Sequence, residues 1–433
     1  MKSHTDVCMV VMNQLWNDAR VKKEAQTLSD IGLSVTIIAQ PEDDCPDSED
    51  WGDIHVLRVR EAGSLKKSFR RMLDTYGGDK DCTGTGLITA LRRNPVKRFL
   101  GDFFHSTLHQ IRLLRHALAT NARVYHAHDL DTLAVCAAAA WINNGKLVYD
   151  AHELWLESRR HLLETSRPFM ILEKLTESLL APIADAVIAV TPGRADVMRE
   201  MYPTMAVPDL VVNYPPLAPA APRQQDVRHK LGAGKEPCFL FLYQGILGLH
   251  RGLEELIDAS VLLRDIPVHI AFVGHDRSGG VITQYAEEKN AGDMVTFHPP
   301  VPSEELSEIT GSADAGLLLF QDSCLNHTLS LPNKLFEYMM SGLPVIACDL
   351  PEISSVLHRH DCGILVDASD PSSIAKGMRQ MVSDPAEAKA QGERGYEAAS
   401  ANYIWNRSAS VLHELYMRVL EEELQSPSVG DTQ

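Results

Sequence analysis

Apolar residues fall into short blocks separated by helix-length stretches along almost the whole chain. Val7–Met12 is the first block. From Ala19 to Ile31 apolar residues stand at 21, 25, 28 and 31, a helical spacing. Gly32 ends that helix, and Leu33–Ala39 reads as a buried strand. Such a strand–helix–strand unit forms parallel sheet with a right-handed crossover. The same alternation predicts strands at Ile54–Val59, Val124–Ala127, Lys146–Asp150, Ala186–Thr191 and Leu210–Val212. Helices are predicted over Phe99–Leu118 and Pro168–Ala184.

Residues 213–237 break the pattern with a Pro/Ala-rich linker. A second alternation follows, with strands at Phe239–Tyr243, Val268–Val273, Val295–His298, Ala315–Phe320, Pro344–Cys348 and Gly363–Val366. Arg251–Arg264 and Ser278–Asn290 read as helices, and the chain is helical from Asp367 to about Leu420. The polar tail 425–433 is expected to be disordered. The chain of 433 residues is too long for one core. The expected division is a first α/β domain over 1–213 and a second over 214–403. A C-terminal helix over about 404–421 is expected to pack back on the first domain. Two doubly wound halves place the expected site in the cleft between them, at the C-terminal ends of parallel strands.

Composition narrows the function. A net charge of −17 argues against nucleic-acid binding. The charge is uneven: Arg58–Arg123 holds fourteen basic and five acidic residues, so it is +9 while the remainder is −26. That segment mixes arginines with apolar residues, which suggests an anionic membrane surface as partner; a solvated helix face packing its apolar side on the first domain is the plainer reading of Phe99–Leu118. No apolar run reaches the roughly 20 residues of a membrane span. The N-terminus lacks a secretory signal pattern, so a cytoplasmic protein is expected, docking peripherally on the membrane's inner face. The eight cysteines include no Cys-x-x-Cys pair, which favours buried thiols over a disulfide framework or a cysteine-based zinc site.

Four motifs carry candidate chemistry. Ser330–Ile346 reads as helix start, short helix, glycine stop and buried strand, with Pro332 at the first helical position and Gly342 just past the end. A helix start offers free N–H groups to a phosphate, Lys334 adds a full charge, and Glu337 lies one turn on, suited to ribose hydroxyls. Gly245–Gly252 follows the first strand of the second half; its glycines admit a ligand close to the backbone, and Arg251 can grip a phosphate. A tight strand-to-helix turn is the plainer reading of that loop.

His126-Ala127-His128-Asp129-Leu130-Asp131 ends a strand and permits three readings. His126, His128 and Asp131 suit a metal-dependent hydrolase. Asp-x-Asp suits a metal-bound nucleotide sugar. Alternatively, His128 is a hydrogen-bond donor at the sheet edge and an aspartate caps the next helix. Tyr149–Trp155 ends the next strand, bringing Asp150, His152 and Glu153 near His128 for acceptor contact or a structural network. No Gly-x-Gly-x-x-Gly or Walker-type loop follows a strand, which counts against a nicotinamide oxidoreductase.

Together these residues resemble the retaining glycosyltransferases of the GT-B fold, in the group 1 or family-four lineage. Asn17–Ala25, Val124–Asp129, Tyr243–Gly252 and Asn333–Ile346 carry the resemblance, in the lineage's order and spacing. It implies two Rossmann-like domains facing across a cleft and transfer from a UDP-, GDP- or ADP-sugar to a glycan or lipid-linked acceptor, with retention and without a metal. Arg251 and Lys334 would bind the diphosphate, with Gly245 and Asn333 beside them, and Glu337 the ribose. The Pro299–Pro302 turn, with Val301, would meet the base through its backbone. His128 would act near the reacting bond. Asp18, Arg20, His152 and Glu153 are the acceptor-side candidates.

Three positions depart from the lineage's pattern. Leu329 stands where a first glutamate is usual, as in a Pro-Asn-Lys subgroup; Ile246 replaces an arginine; and Asn13–Trp16 lacks a glycine pair. A nucleotide-sugar 2-epimerase shares the same architecture, and Leu329 also admits a non-catalytic partner subunit.

Overall fold

A computed structural model describes residues 5–15, 18–41, 45–60, 95–158, 167–233 and 238–425. Side chains of 95–106, 158, 167, 303–304 and 422–425 are not among those described. Trp16, Asn17, most of the basic segment (61–94) and the tail beyond 425 therefore lie outside the described residues. The chain packs as two units. One comprises Met1–Val190, Ala195–Val211 and Ala409–Gln433; the other comprises Thr191–Arg194 and Val212–Ser408.

The first unit is built from β1 (Val7–Val10), α1 (Ala19–Asp30), β2 (Val35–Ala39), β3 (Ser48–Trp51), β4 (Ile54–Arg58), α2 (Pro95–Thr120), β5 (Val124–His128), α3 (Leu130–Asn143), β6 (Lys146–Ala151), α4 (Trp155–Ser158), α5 (Arg167–Leu180), β7 (Ala186–Ala189), α6 (Pro192–Met201) and β8 (Asp209–Leu210). Its sheet has the order β3-β4-β2-β1-β5-β6-β7-β8. All pairings are parallel except β3–β4. β1, β2, β5 and β7 are buried along their full length, as strands covered on both faces must be. The strand order reverses at β1, where α1 leads to one side and the later crossovers lead to the other.

The second unit runs α7 (Gln225–Lys230), β9 (Phe239–Gln244), α8 (Leu253–Val261), β10 (Val268–Val273), α9 (Val281–Glu288), β11 (Val295–His298), α10 (Ser303–Gly311), β12 (Ala315–Leu318), α11 (Leu325–Thr328), α12 (Asn333–Met340), β13 (Val345–Cys348), α13 (Pro351–His360), β14 (Gly363–Val366), α14 (Pro371–Ser383) and α15 (Pro385–Asn402). Its six parallel strands are ordered β11-β10-β9-β12-β13-β14. A last helix, α16 (Trp405–Gln425), spans the boundary at Ser408. Leu412, Leu415, Tyr416 and Val419 of α16 are buried in the first unit.

Three expectations change. Pro332 precedes α12 in extended geometry (φ −75°, ψ 144°), so Asn333 is the first helical residue. The strand predicted at Leu210–Val212 is only Asp209–Leu210, at the sheet's edge. β3, antiparallel and half-exposed, carries Ser, Glu and Asp, so no apolar alternation announced it.

Candidate functional site

In the second unit, β9 ends at Gln244 and turns through Gly245, whose φ is +119°. Gly274, at the end of β10, lies against this turn: a Cβ there would come within 1.8 Å of the Gly245 oxygen. Tyr338 of α12 ties that helix to the sheet. Its hydroxyl accepts from Gln244 N (3.0 Å) and lies 3.1 Å from the Leu242 carbonyl, to which it donates. Gly316 makes room for the Tyr338 ring, since a Cβ there would stand 2.3 Å from it. The start of α12 is thereby held beside the β9 turn.

Lys334 sits in the first turn of α12 and is buried. Its ammonium lies 3.7 Å from the Tyr243 ring centroid and 5.5 Å from that of Phe320. It makes no ion pair or hydrogen bond among the described residues, and burial, then the nearby Arg251 charge, hold its pKa well below the usual lysine range. Arg251 stacks on Phe320 at 4.9 Å, in the loop where His250 takes φ +59° and Gly252 φ +62°. Two cations thus share one aromatic platform. Glu337, one turn along α12, accepts from Gln244 Nε2 at 2.5 Å, while Gln244 Oε1 accepts from Thr310 (2.9 Å). Asn333 is exposed at the helix start. Val301 is half-buried in the loop before α10. Leu329 follows α11, and the Ile246 carbonyl accepts from the Tyr243 hydroxyl at 3.0 Å.

The first unit gathers its polar residues at the C-terminal ends of β5 and β6, where His128 pairs with Asp150 in register. Asp150 is fully buried and takes both arms of Arg20, Nε at 3.0 Å and NH2 at 2.8 Å. The third nitrogen of Arg20 donates to the Val211 carbonyl at 2.5 Å. Burial alone would raise the Asp150 pKa, but Arg20 and His152 hold it well below the usual carboxylate range. His152 lies 2.9 Å from Asp150 and 3.1 Å from His128. Burial opposes its charge, yet Asp129 and Asp150 raise its pKa to about 10.

His128 is buried, and its pKa falls to about 3, through burial and then His126. It therefore stays neutral. His126 stacks on it at 4.3 Å and 17°, and contacts the Tyr416 hydroxyl at 2.7 Å. Asp129 precedes α3 with φ +64°, and its carboxylate accepts from the His152 N–H (3.0 Å) instead of capping the helix. Asp18 caps α1 by accepting from Val21 N (3.1 Å). Glu153 is exposed.

Glu24 completes this cluster: its carboxylate is fully buried, 2.9 Å from Arg20 Nε and 3.8 Å from His126 Nε2. Burial raises its pKa to about 8 despite Arg20. Glu24, His126, His128 and Asp150 offer ligand atoms within 4.8 Å of one another. The set fits a metal poorly. A divalent ion would compete with the Arg20 fork for Asp150 and would sit beside the Arg20 guanidinium's own positive charge. Asp131 is not part of this group.

Sequence reasoning missed Glu24, Gln244, Tyr416 and the aromatic pair Tyr243 and Phe320. One signal was available. Arg20 and Glu24 are spaced i, i+4 beside the apolar stripe 21, 25, 28, so they share its inward face.

Residues 20–216 match the family Glycosyltransferase Family 4, and residues 224–398 match Glycosyl transferases group 1. The D-inositol 3-phosphate glycosyltransferase of Thermobispora bispora is 24% identical over 300 residues, covering 66% of this chain and 68% of that protein. A D-inositol 3-phosphate glycosyltransferase of Catenulispora acidiphila is 25% identical over 314 residues, covering 69% and 72%. Among solved structures, sucrose-phosphate synthase from Thermosynechococcus elongatus superposes with a TM-score of 0.70 at 17% identity, over 96% of this chain and 100% of that one. Anabaena HepE in complex with UDP-glucose gives 0.67 at 14%, over 96% and 100%. The catalytic domain of Arabidopsis thaliana starch synthase IV, bound to ADP and acarbose, gives 0.67 at 12%, over 97% and 100%. The two Rossmann-like units are those of the GT-B fold.

Proposed function

The chain belongs to the group 1 and family 4 glycosyltransferases, and we propose that it transfers a sugar from a nucleotide-diphosphate sugar to a glycan or lipid-linked glycan, with retention of anomeric configuration. The observation that carries this reading is Lys334: a buried ammonium with no ion pair among the described residues, beside Arg251 and at a helix start. Two cations and free helix N–H groups are a receptor for a diphosphate. Neutralising them with a phosphate returns the desolvation cost of Lys334.

Glu337, oriented by Gln244, accepts from the ribose hydroxyls. The backbone around Val301 meets the base. As the glycosidic bond breaks, Lys334 and Arg251 take up the charge growing on the diphosphate oxygen. That oxygen then accepts the acceptor's proton on the same face of the sugar, so no protein nucleophile is needed. His128, neutral at physiological pH, donates a hydrogen bond to the transferred sugar, and the cation His152 and Asp150 orient its ring. Asp18, Arg20 and Glu153 complete the acceptor side, and no metal takes part.

A thermal-shift screen with UDP-, GDP- and ADP-sugars tests the donor. A donor at about 100 times its dissociation constant stabilises by about 2.7 kcal/mol. Product anomers read by NMR test retention. Conversion of donor without acceptor would point to an epimerase, and loss of turnover with EDTA would overturn the metal-free reaction.

A further inference from the structure

We propose that the outer face of α3 and α5 in the first unit rests on an anionic lipid bilayer; this deepens, and rests on, the lipid-linked form of the acceptor proposed above. Helix α5 is inverted. Of its two acids, Glu177 points inward and accepts from the hydroxyls of Tyr149 and Tyr202, each at 2.9 Å, and the half-buried Glu173 accepts from Trp155 Nε1 at 3.0 Å. Its large apolar side chains point outward: Ile171, Leu172, Leu175 and Leu179 are 67%, 43%, 53% and 61% exposed. Their spacing, i, i+1, i+4, i+8, makes one uncharged stripe. Trp141, 85% exposed, ends the neighbouring helix α3.

Topology puts α2, α3 and α5 on one side of the sheet. All three are crossovers into β5, β6 and β7 in the same lateral direction, and right-handed crossovers share a face. Helices α2 and α3 pack together, as do α3 and α5. Charge decides the occupant. Among the described side chains of these helices, the exposed charged ones are Arg112, Arg115 and Lys174, all basic, in a chain of net charge −17. An apolar stripe with an exposed tryptophan and a basic rim matches the interfacial zone of an anionic membrane. A second copy docked symmetrically on the same face would set the same basic rim beside its own image.

The geometry has a use. Strands and helices in this layer run roughly antiparallel to one another. With α5 lying on the bilayer, the C-terminal ends of β5 and β6 open sideways, about 10 Å above the surface. His128 then lies at a height that the head of a membrane-anchored acceptor can reach.

The test is flotation of the full chain with vesicles of phosphatidylethanolamine and phosphatidylglycerol, against phosphatidylcholine alone, at low and high salt. Tryptophan quenching by bromine-labelled acyl chains is read in parallel. The wild type should float with the anionic vesicles, and quenching should be lost in Trp141→Phe. Leu175→Ser/Leu179→Ser should weaken partition at least about tenfold. Arg112→Ser/Arg115→Ser should remove the preference for anionic lipid. These residues are exposed, so the variants should keep the wild-type melting temperature and the stabilisation by nucleotide sugar. Absence of vesicle binding in a wild type that still binds nucleotide sugar overturns the membrane face and leaves the transferase reading intact. A dimer in sedimentation equilibrium that the leucine substitutions dissolve, without vesicle binding, also overturns it and assigns the face to a second copy.

Discussion

Lys334→Met should move stability and function in opposite directions. The wild-type ammonium is buried beside Tyr243 and Phe320, with Arg251 nearby and no ion-pair partner among the described residues. Taking such a charge out of water costs several kcal/mol. A desolvated cation–π contact returns about 2 kcal/mol. The remainder is unfavourable in the nucleotide-free protein, and the same desolvation lowers the lysine's pKa. Methionine fills a similar length without charge, so the free protein should gain about 1–2 kcal/mol. Transition-state stabilisation should fall by about 2–4 kcal/mol, which is about 30- to 1000-fold in kcat/KM.

Urea denaturation without ligand and turnover against donor concentration measure the two halves. The pH dependence adds a check. A lysine whose folded pKa is depressed binds fewer protons folded than unfolded, so between its lowered folded pKa and 10.5 wild-type stability rises with pH from this group. The variant should lack that contribution. A Lys334→Met protein that is destabilised by about 2 kcal/mol and turns over donor normally would refute the reasoning and make Lys334 a packing residue.

Glu337→Gln should lower donor affinity about tenfold while leaving the melting temperature nearly unchanged, because Gln244 can still bond an amide; isothermal titration with the donor nucleotide reads both variant and wild type. Arg20→Met should cost about 3–5 kcal/mol in urea denaturation, since it leaves the buried Asp150 carboxylate without its guanidinium fork, with His152 as its remaining cation, and removes the donor to the Val211 carbonyl; a loss under 1 kcal/mol would show that water replaces the fork. Glu24 holds its proton to about pH 8 folded but only to about 4.5 unfolded, so its contribution to stability is present below 4.5 and is lost as pH rises to 8. Glu24→Gln should therefore flatten the melting-temperature profile between those limits, and an unchanged slope would place the titration elsewhere.

The second unit's site was the more legible one because its chemistry is local. Helix α12 carries Lys334 and Glu337 on adjoining turns, and a spacing of three residues can be read along one chain segment. The helix start was read one position early, at Pro332 instead of Asn333, and Gln244, Tyr243 and Phe320, which come from other elements, were not read. The first unit's cluster was less legible because its members come from four elements. Asp150 meets Arg20 across 130 residues, and His126 meets Tyr416 across 290. No local pattern encodes such pairings. His126 and His128 were read correctly as sharing one face of a strand, but their stacking at 4.3 Å depends on the buried partners around them. Asp129 looked like a helix cap, as aspartates before helices commonly are. A left-handed backbone at that residue sends its carboxylate to His152 instead, and sequence alone does not reveal such a φ.

The split of the first unit across the chain has a consequence for synthesis. Residues 212–408 of the second unit leave the ribosome as one nearly unbroken run, while the first unit waits for α16. Until Tyr416 emerges, His126 lacks its 2.7 Å partner, and Asp209 lacks the guanidinium of Arg418. The α1 face of the nascent sheet is also missing Leu412, Leu415 and Val419. Order of appearance and order of completion are therefore reversed: the domain made first is finished last. A stop codon before residue 409 leaves the second unit's residues in place, yet it withdraws a wall from the first unit.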